Sequence, residues 1–260
     1  MQRRAFLGSA CAAGAAAVGA AAGRASAAET GDKQYLELRH YTMADMAHRE
    51  RLEAFLAKAA IPAWNAAGVK TVGVFVDLEG KNPDLRVLLP YASADDVVAV
   101  RRKAWKAILA NDAVRDVVHA EKKAPAYERI ESAFMLSFDG VPQVQVPEKT
   151  DGRLFQLRTY ESHSQAKAFK KIKMFNEGGE LAIFRKCRMT PVFFGETLVG
   201  GKLPNLTYML TFPDMAAKDA GWKKFIGHPQ WKTLSKDPEY KDTVSHITNI
   251  MLAPAACSQI

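Results

Sequence analysis

The sequence predicts an α+β protein made of two copies of one unit, each laid out as strand, helix, strand, strand, helices, strand. The first observation behind this is an internal repeat. Leu36-Glu-Leu-Arg-His-Tyr41 returns as Phe155-Gln-Leu-Arg-Thr-Tyr160, and Pro83-Asp-Leu-Arg-Val-Leu-Leu-Pro-Tyr91 returns as Pro204-Asn-Leu-Thr-Tyr-Met-Leu-Thr-Phe212. Thr71 to Phe75 with Thr190 to Phe194, Trp105 to Ile108 with Trp222 to Phe225, and Met135-Leu136 with Met251-Leu252 complete five matches in the same order, at offsets between 116 and 121 residues. The second observation is a hydrophobic period that switches between two and 3.6 residues within each copy. The third is composition: 260 residues with 48% hydrophobic and 25% charged excludes disordered, collagen-like and multi-span membrane classes.

Residues 1–27 read as a cleavable signal. Paired Arg3 and Arg4 precede Phe6-Leu7, an Ala/Gly-rich run and the small-residue site Ala25-Ser26-Ala27, which has a twin-arginine look. The apolar run is too short and too weakly hydrophobic to span a bilayer, so no integral membrane segment is expected after its removal. The first unit covers residues 32–138. Tyr35 to Tyr41 alternates as a strand, and Met46 to Asn65 carries Leu52, Phe55, Leu56 and Ala59 at helical spacing until Gly68 stops it. Val72 to Leu78 and Leu85 to Tyr91 form strands around turn residues, Asp95 to Leu109 is a helix opened by Ser93, and Arg129 to Phe138 closes the unit. Residues 139–152 are the linker and 153–254 the second unit. Each unit should have helices on one sheet face only, leaving the other face for the second copy to cover.

Net charge is +8, and the basic excess remaining after signal removal lies in the second half. Its clearest source, Lys167, Lys170, Lys171 and Lys173 interleaved with Phe169 and Ile172, reads as a solvated helix face, so no nucleic-acid partner is expected. Export implies a periplasmic or otherwise extracytoplasmic location. Cys187 and Cys257 lack framework spacing and give no disulfide assignment.

The Leu-Arg-x-Tyr strand, the Trp-x-x-Phe segment with Gly227-His-Pro-Gln-Trp231, and the strand Pro191-Val-Phe-Phe-Gly-Glu-Thr-Leu198 resemble the NIPSNAP family, within the dimeric α+β barrel superfamily. The resemblance covers nearly all of the chain after the signal and is nearest to exported bacterial members ending like Cys257-Ser-Gln-Ile260. It implies two ferredoxin-like units packed sheet to sheet, so that a tandem chain makes the barrel internally. Relatives on this fold include oxygenases, isomerases, haem enzymes and proteins of no known activity, so function has to come from a site.

Strand alternation supplies one. Leu36, Leu38 and His40 share a face of the first strand, while Glu37, Arg39 and Tyr41 share the other; the second copy repeats this with Gln156, Arg158 and Tyr160. If the apolar faces meet the helices, both arginines point into the space between the sheets. Arg39 then has Glu37 and Glu131 for neighbours, whereas Arg158 has only the uncharged Gln156 and Thr248. Two readings follow: an internal ion-pair network, or a cationic pocket for a small, partly apolar anion. The expected function is binding of such a molecule. A cofactor-independent oxygenase or isomerase, and an interaction module with a packed barrel, are the alternatives. Secondary candidates are Glu177, Glu180 and Glu196, whose plain reading is solvated acids, and His228, read first as a loop cap and second as an axial haem or metal ligand. No metal and no cofactor is expected, haem being the one candidate. A homo-oligomer is left open.

Overall fold

The computed structural model describes residues 32–260, so the expected signal lies outside the described residues. The first unit runs β1 (Tyr35–Thr42), α1 (Met46–Phe55), a π-helical stretch Leu56–Ala60, α2 (Ile61–Ala67), β2 (Gly73–Asp77), β3 (Leu85–Tyr91), α3 (Ala94–Leu109), α4 (Arg115–Val118) and β4 (Arg129–Ser137). The second runs β5 (Leu154–Glu161), α5 (Gln165–Asn176), α6 (Glu180–Lys186), β6 (Thr190–Val199), β7 (Asn205–Phe212), α7 (Met215–Gly227), α8 (Pro229–Leu234) and β8 (His246–Pro254). Matching residues open matching helices. Asp45 and Ser164 accept from the third helical amides of α1 and α5, and Ser93 and Asp214 do the same for α3 and α7. Gly68, at φ +121°, ends α2 in a conformation costly for any side chain.

The eight strands close into one antiparallel barrel in the order β1-β3-β2-β8-β5-β7-β6-β4. Within a unit the ladders are long, as in Tyr35 to Thr42 against Leu136 to Arg129. Between units they are short seams, β2 to β8 at Phe75–Asp77 and β4 to β6 at Phe134–Ser137. Closure removes long free edges and leaves three buried layers. The first unit's helices pack on its outer sheet face around Trp64, the second unit's helices pack around Phe175 and Phe184, and the lumen is filled by Leu36, Phe75, Leu88, Met135, Phe155 and Met209. Phe75 meets Phe155 edge-on at 4.9 Å across the pseudo-twofold, joining the halves by two fully buried rings worth about 2–3 kcal/mol each. Past β8 the chain runs back along the first unit's sheet, Ala255 and Gln259 donating to Val74 and Val72, and Ile260 enters the lumen. Gly73 makes room there, since a Cβ would lie 2.6 Å from the buried Phe75 ring and 2.9 Å from the Ile260 side chain. The linker is packed at its start: Val141, like Phe138 just before it, belongs to the second unit's helix layer.

Candidate functional site in the second helix layer

The barrel reverses the expected assignment of strand faces. Leu36 and Leu38 point into the lumen, while Arg39 and Tyr41, like Tyr160, belong to the layers between sheet and helices. The physical reason is enclosure. The lumen is walled by sheet on all sides and takes the most apolar face, whereas a helix layer has side-chain donors and partial solvent access for charged heads. Arg39 and Arg158 therefore do not share one interior: Arg39 lies over Trp64 and Arg158 over Trp222. Glu131 is not a partner of Arg39. It approaches His40 at 3.7 Å, and Thr248 contacts Lys202. His40, expected against the helices, is on the lumen side and hydrogen-bonds Asp84 at 2.8 Å.

In the first layer the motif is self-contained. Nε and Nη2 of Arg39 donate to the two carboxylate oxygens of Glu37 at 2.8 Å each, and Tyr91 Oη and Ser132 Oγ donate to the same carboxylate at 2.9 Å. Burial works against ionisation of Glu37, but Arg39 and these hydroxyls outweigh it and hold its pKa below the ordinary carboxylate value. Burial likewise opposes the charge on Arg39, and Glu37 more than compensates.

The second layer is built differently. Gln156 replaces the acid, accepting from Trp222 Nε1 at 2.6 Å and donating to Asn249 at 2.8 Å. Arg158 lies 4.7 Å from the Trp222 ring centre and 5.3 Å from that of Tyr160, and its Nε is buried without a hydrogen-bond partner. Burial tends to lower its pKa, yet the flanking Tyr208 and Tyr160 leave it raised. Tyr160 and Tyr208 share a hydroxyl hydrogen bond of 2.9 Å. Beside them Lys171 pairs with Glu180 at 2.6 Å, both almost fully buried, with the Lys171 ammonium 4.4 Å from the Phe175 ring centre. Burial raises the pKa of Glu180 against the pull of Lys171. The cluster of Arg158, Lys171 and Glu180 thus carries one cation more than anions.

Two expectations need correction. Glu180 is not a solvated acid, and Lys171 is not on the solvated face; Lys171 falls in register with Ala168 and Phe175 on the buried side of α5. That spacing was visible in the sequence, as was the alternation that puts Tyr208 beside Tyr160. Glu177 is exposed and Glu196 half-buried on β6, neither joining the cluster. His228 caps α8, its Nδ1 accepting from the Gln230 amide. Among the described residues no group of His, Cys, Asp and Glu could hold a metal ion, and no helix is long and apolar enough to cross a membrane. Cys187 and Cys257 are free thiols.

The sequence model of NIPSNAP matches residues 36–140 and again 155–259. The chain belongs to the NIPSNAP family. Its two family units correspond to the two halves of the barrel. Solved structures share the whole architecture at low identity. A monooxygenase-like protein of Lactobacillus acidophilus NCFM is 13% identical with a TM-score of 0.54, covering 85% of this chain and 94% of its own. One from Fusobacterium nucleatum is 8% identical at TM-score 0.54, covering 85% and 92%, and an anthrone oxidase-like protein is 9% identical at 0.54, covering 87% and 93%. No curated protein matches at a significant level. At these identities the likeness is one of fold.

Proposed function

We propose that this NIPSNAP protein is exported through the twin-arginine signal of residues 1–27 and binds a small, partly apolar anion in the helix layer of its second unit, at Arg158. The observation that carries this reading is the missing carboxylate: Arg39 has Glu37, whereas in the second unit that place is taken by Gln156, bonded to Trp222 and Asn249, and Arg158 lies over an indole face. A ligand carboxylate can supply the anion, the one hydroxyl proton that the Tyr160–Tyr208 hydrogen bond leaves free can be donated to it, and Trp222 offers an aromatic wall for the apolar part. Binding is favoured over proton abstraction by the state of the local groups. The Tyr208 phenol is held well above its ordinary pKa by burial and Tyr160, so it donates and does not act as a base; Glu180 is tied to Lys171.

A cofactor-independent oxygenase is the second reading, favoured by the shared fold of the monooxygenase-like and anthrone oxidase-like proteins. Titration with benzoate, followed by tryptophan fluorescence, tests the binding proposal. A saturable change that Arg158→Met abolishes and Arg39→Lys retains is expected; a response unaffected by Arg158→Met refutes it. For export, the Arg3→Lys, Arg4→Lys double variant should remain in the cytoplasm, and its unchanged export would remove that part of the proposal.

A further inference from the structure

At one end of the lumen the apolar filling stops, and a cavity of about 250 Å³ opens between the halves, lined by Leu38, His40, Arg86, Thr159, Thr207 and Lys202 among others. Its two walls are matching positions of the repeat with different chemistry. His40, Asp84 and Arg86 of the first unit stand where the second has Thr159, Asn205 and Thr207. One wall is charged and the other is neutral and hydrogen-bonding.

The charges on the first wall are unequally engaged. Asp84 takes His40 Nε2 and the Met43 amide, Glu131 approaches the other nitrogen of His40 from an exposed position, and Asp77 accepts from the amides of Lys81 and Asn82. No carboxylate lies within ion-pair distance of Arg86 among the described residues, and burial lowers its pKa despite Asp84 and Asp77. On the second wall the Thr159 and Thr207 hydroxyls bond each other at 2.9 Å, which leaves one hydroxyl hydrogen and several lone pairs for a guest. Over the opening, the β6 to β7 loop is pinned by Asn205 Nδ2 to the carbonyls of Gly201 and Lys202. Lys202 sits there at φ +60°, with its ammonium 3.4 Å from Thr248 and 3.7 Å from Glu161.

We infer that this barrel mouth is a second binding site, separate from the Arg158 layer, for a small hydroxylated carboxylate such as a sugar acid, with the carboxylate on Arg86 and the hydroxyls on Thr159 and Thr207. Lys202 closes over the anion, and Glu131 can accept from a ligand hydroxyl at the rim.

Calorimetric titration of the full chain with sodium gluconate tests this, with propionate (carboxylate without hydroxyls) and sorbitol (hydroxyls without carboxylate) as comparators. Gluconate should bind saturably at one site, and both comparators roughly tenfold or more weaker. Arg86→Gln should weaken gluconate by roughly tenfold or more, as expected for loss of a charge-assisted hydrogen bond. Thr207→Val should weaken it less, and Arg158→Met should leave it unchanged. Should Arg86→Gln fail to fold, Arg86→Lys carries the test, since it keeps the charge and loses the fork, and weaker binding is still expected. Absence of gluconate binding, propionate binding equally well, binding indifferent to Arg86, or binding lost in Arg158→Met would each overturn the proposal.

Discussion

In the first helix layer the Leu-Arg-x-Tyr strand holds a guanidinium clasped by its own carboxylate, with Tyr91 and Ser132 donating to the same carboxylate; in the second the same strand holds a guanidinium stacked on indole, with no carboxylate among the described residues within ion-pair distance and Glu180, the acid it feels, already paired with Lys171. A charge pair also appears in one unit only. Where the first layer packs Leu52 and Ile61, the equivalent positions of the second carry Lys171 and Glu180. The shared backbone shows that neither polar set is needed to form a unit. What differs is the balance: the first layer is neutral, and the second retains one cation in excess, which is the condition for attracting an anion from outside.

The sharpest way to break this comparison is to exchange the unequal pair. Glu180→Ile alone leaves Lys171 buried among Tyr160, Phe175 and Trp231 with no carboxylate, at an expected cost of about 3–5 kcal/mol in denaturant unfolding. The double variant Lys171→Leu, Glu180→Ile restores the first unit's residues at both places and should unfold within about 1 kcal/mol of the parent, or above it. A double variant as unstable as the single would mean that the second layer has come to depend on its ion pair and that the two units are no longer interchangeable there.

The two arginines form the next test. Arg39→Met strands the Glu37 carboxylate in a buried site, at a cost on the order of 3 kcal/mol, because Tyr91 and Ser132 can donate to it but cannot neutralise it. Arg158 is only partly buried and unpaired, so Arg158→Met should change stability by less than about 1 kcal/mol while removing anion binding. Equal destabilisation in thermal unfolding would make both arginines structural and end the case for the Arg158 site.

The repeat, the order of elements and the strand motif were legible in the sequence because they depend on local periodicity and on matched segments such as Leu36 to Tyr41 with Phe155 to Tyr160 and Trp105 to Ile108 with Trp222 to Phe225; of the helix caps only Ser93 was read there, and its counterpart Asp214 and the pair Asp45 and Ser164 emerge from the structure. The direction of the strand faces was not. Alternation says that Glu37, Arg39 and Tyr41 lie together, but which side is more enclosed depends on barrel closure, a long-range property. Lys171 was misassigned for a related reason. A lysine run looks solvated until the helix is docked, and only the spacing of Ala168, Lys171 and Phe175 marks the one residue turned inward. The barrel mouth combines His40, Arg86, Thr159 and Thr207 from four strands of both units, so no local pattern announces it.

The smallest expected effect is in pH dependence, and here the two units should move in opposite directions. The pKa of Glu37 is lowered in the folded protein, so its contribution is present above the unfolded value of about 4.3 and is lost as pH falls through the folded value. The pKa of Glu180 is raised, so the folded state binds its proton more readily than the unfolded chain does. Between those two values, acidification relieves the cost of burying that charge. Melting temperature followed between about pH 6 and about pH 3 should therefore fall less steeply in Glu37→Gln than in the parent, because the acid-sensitive contribution of the first unit is gone. The Lys171→Leu, Glu180→Ile variant should fall more steeply, because the opposing contribution of the second has been removed. Parallel curves for all three would mean that neither buried carboxylate governs acid stability, and that the charge difference between the units matters only for what they bind.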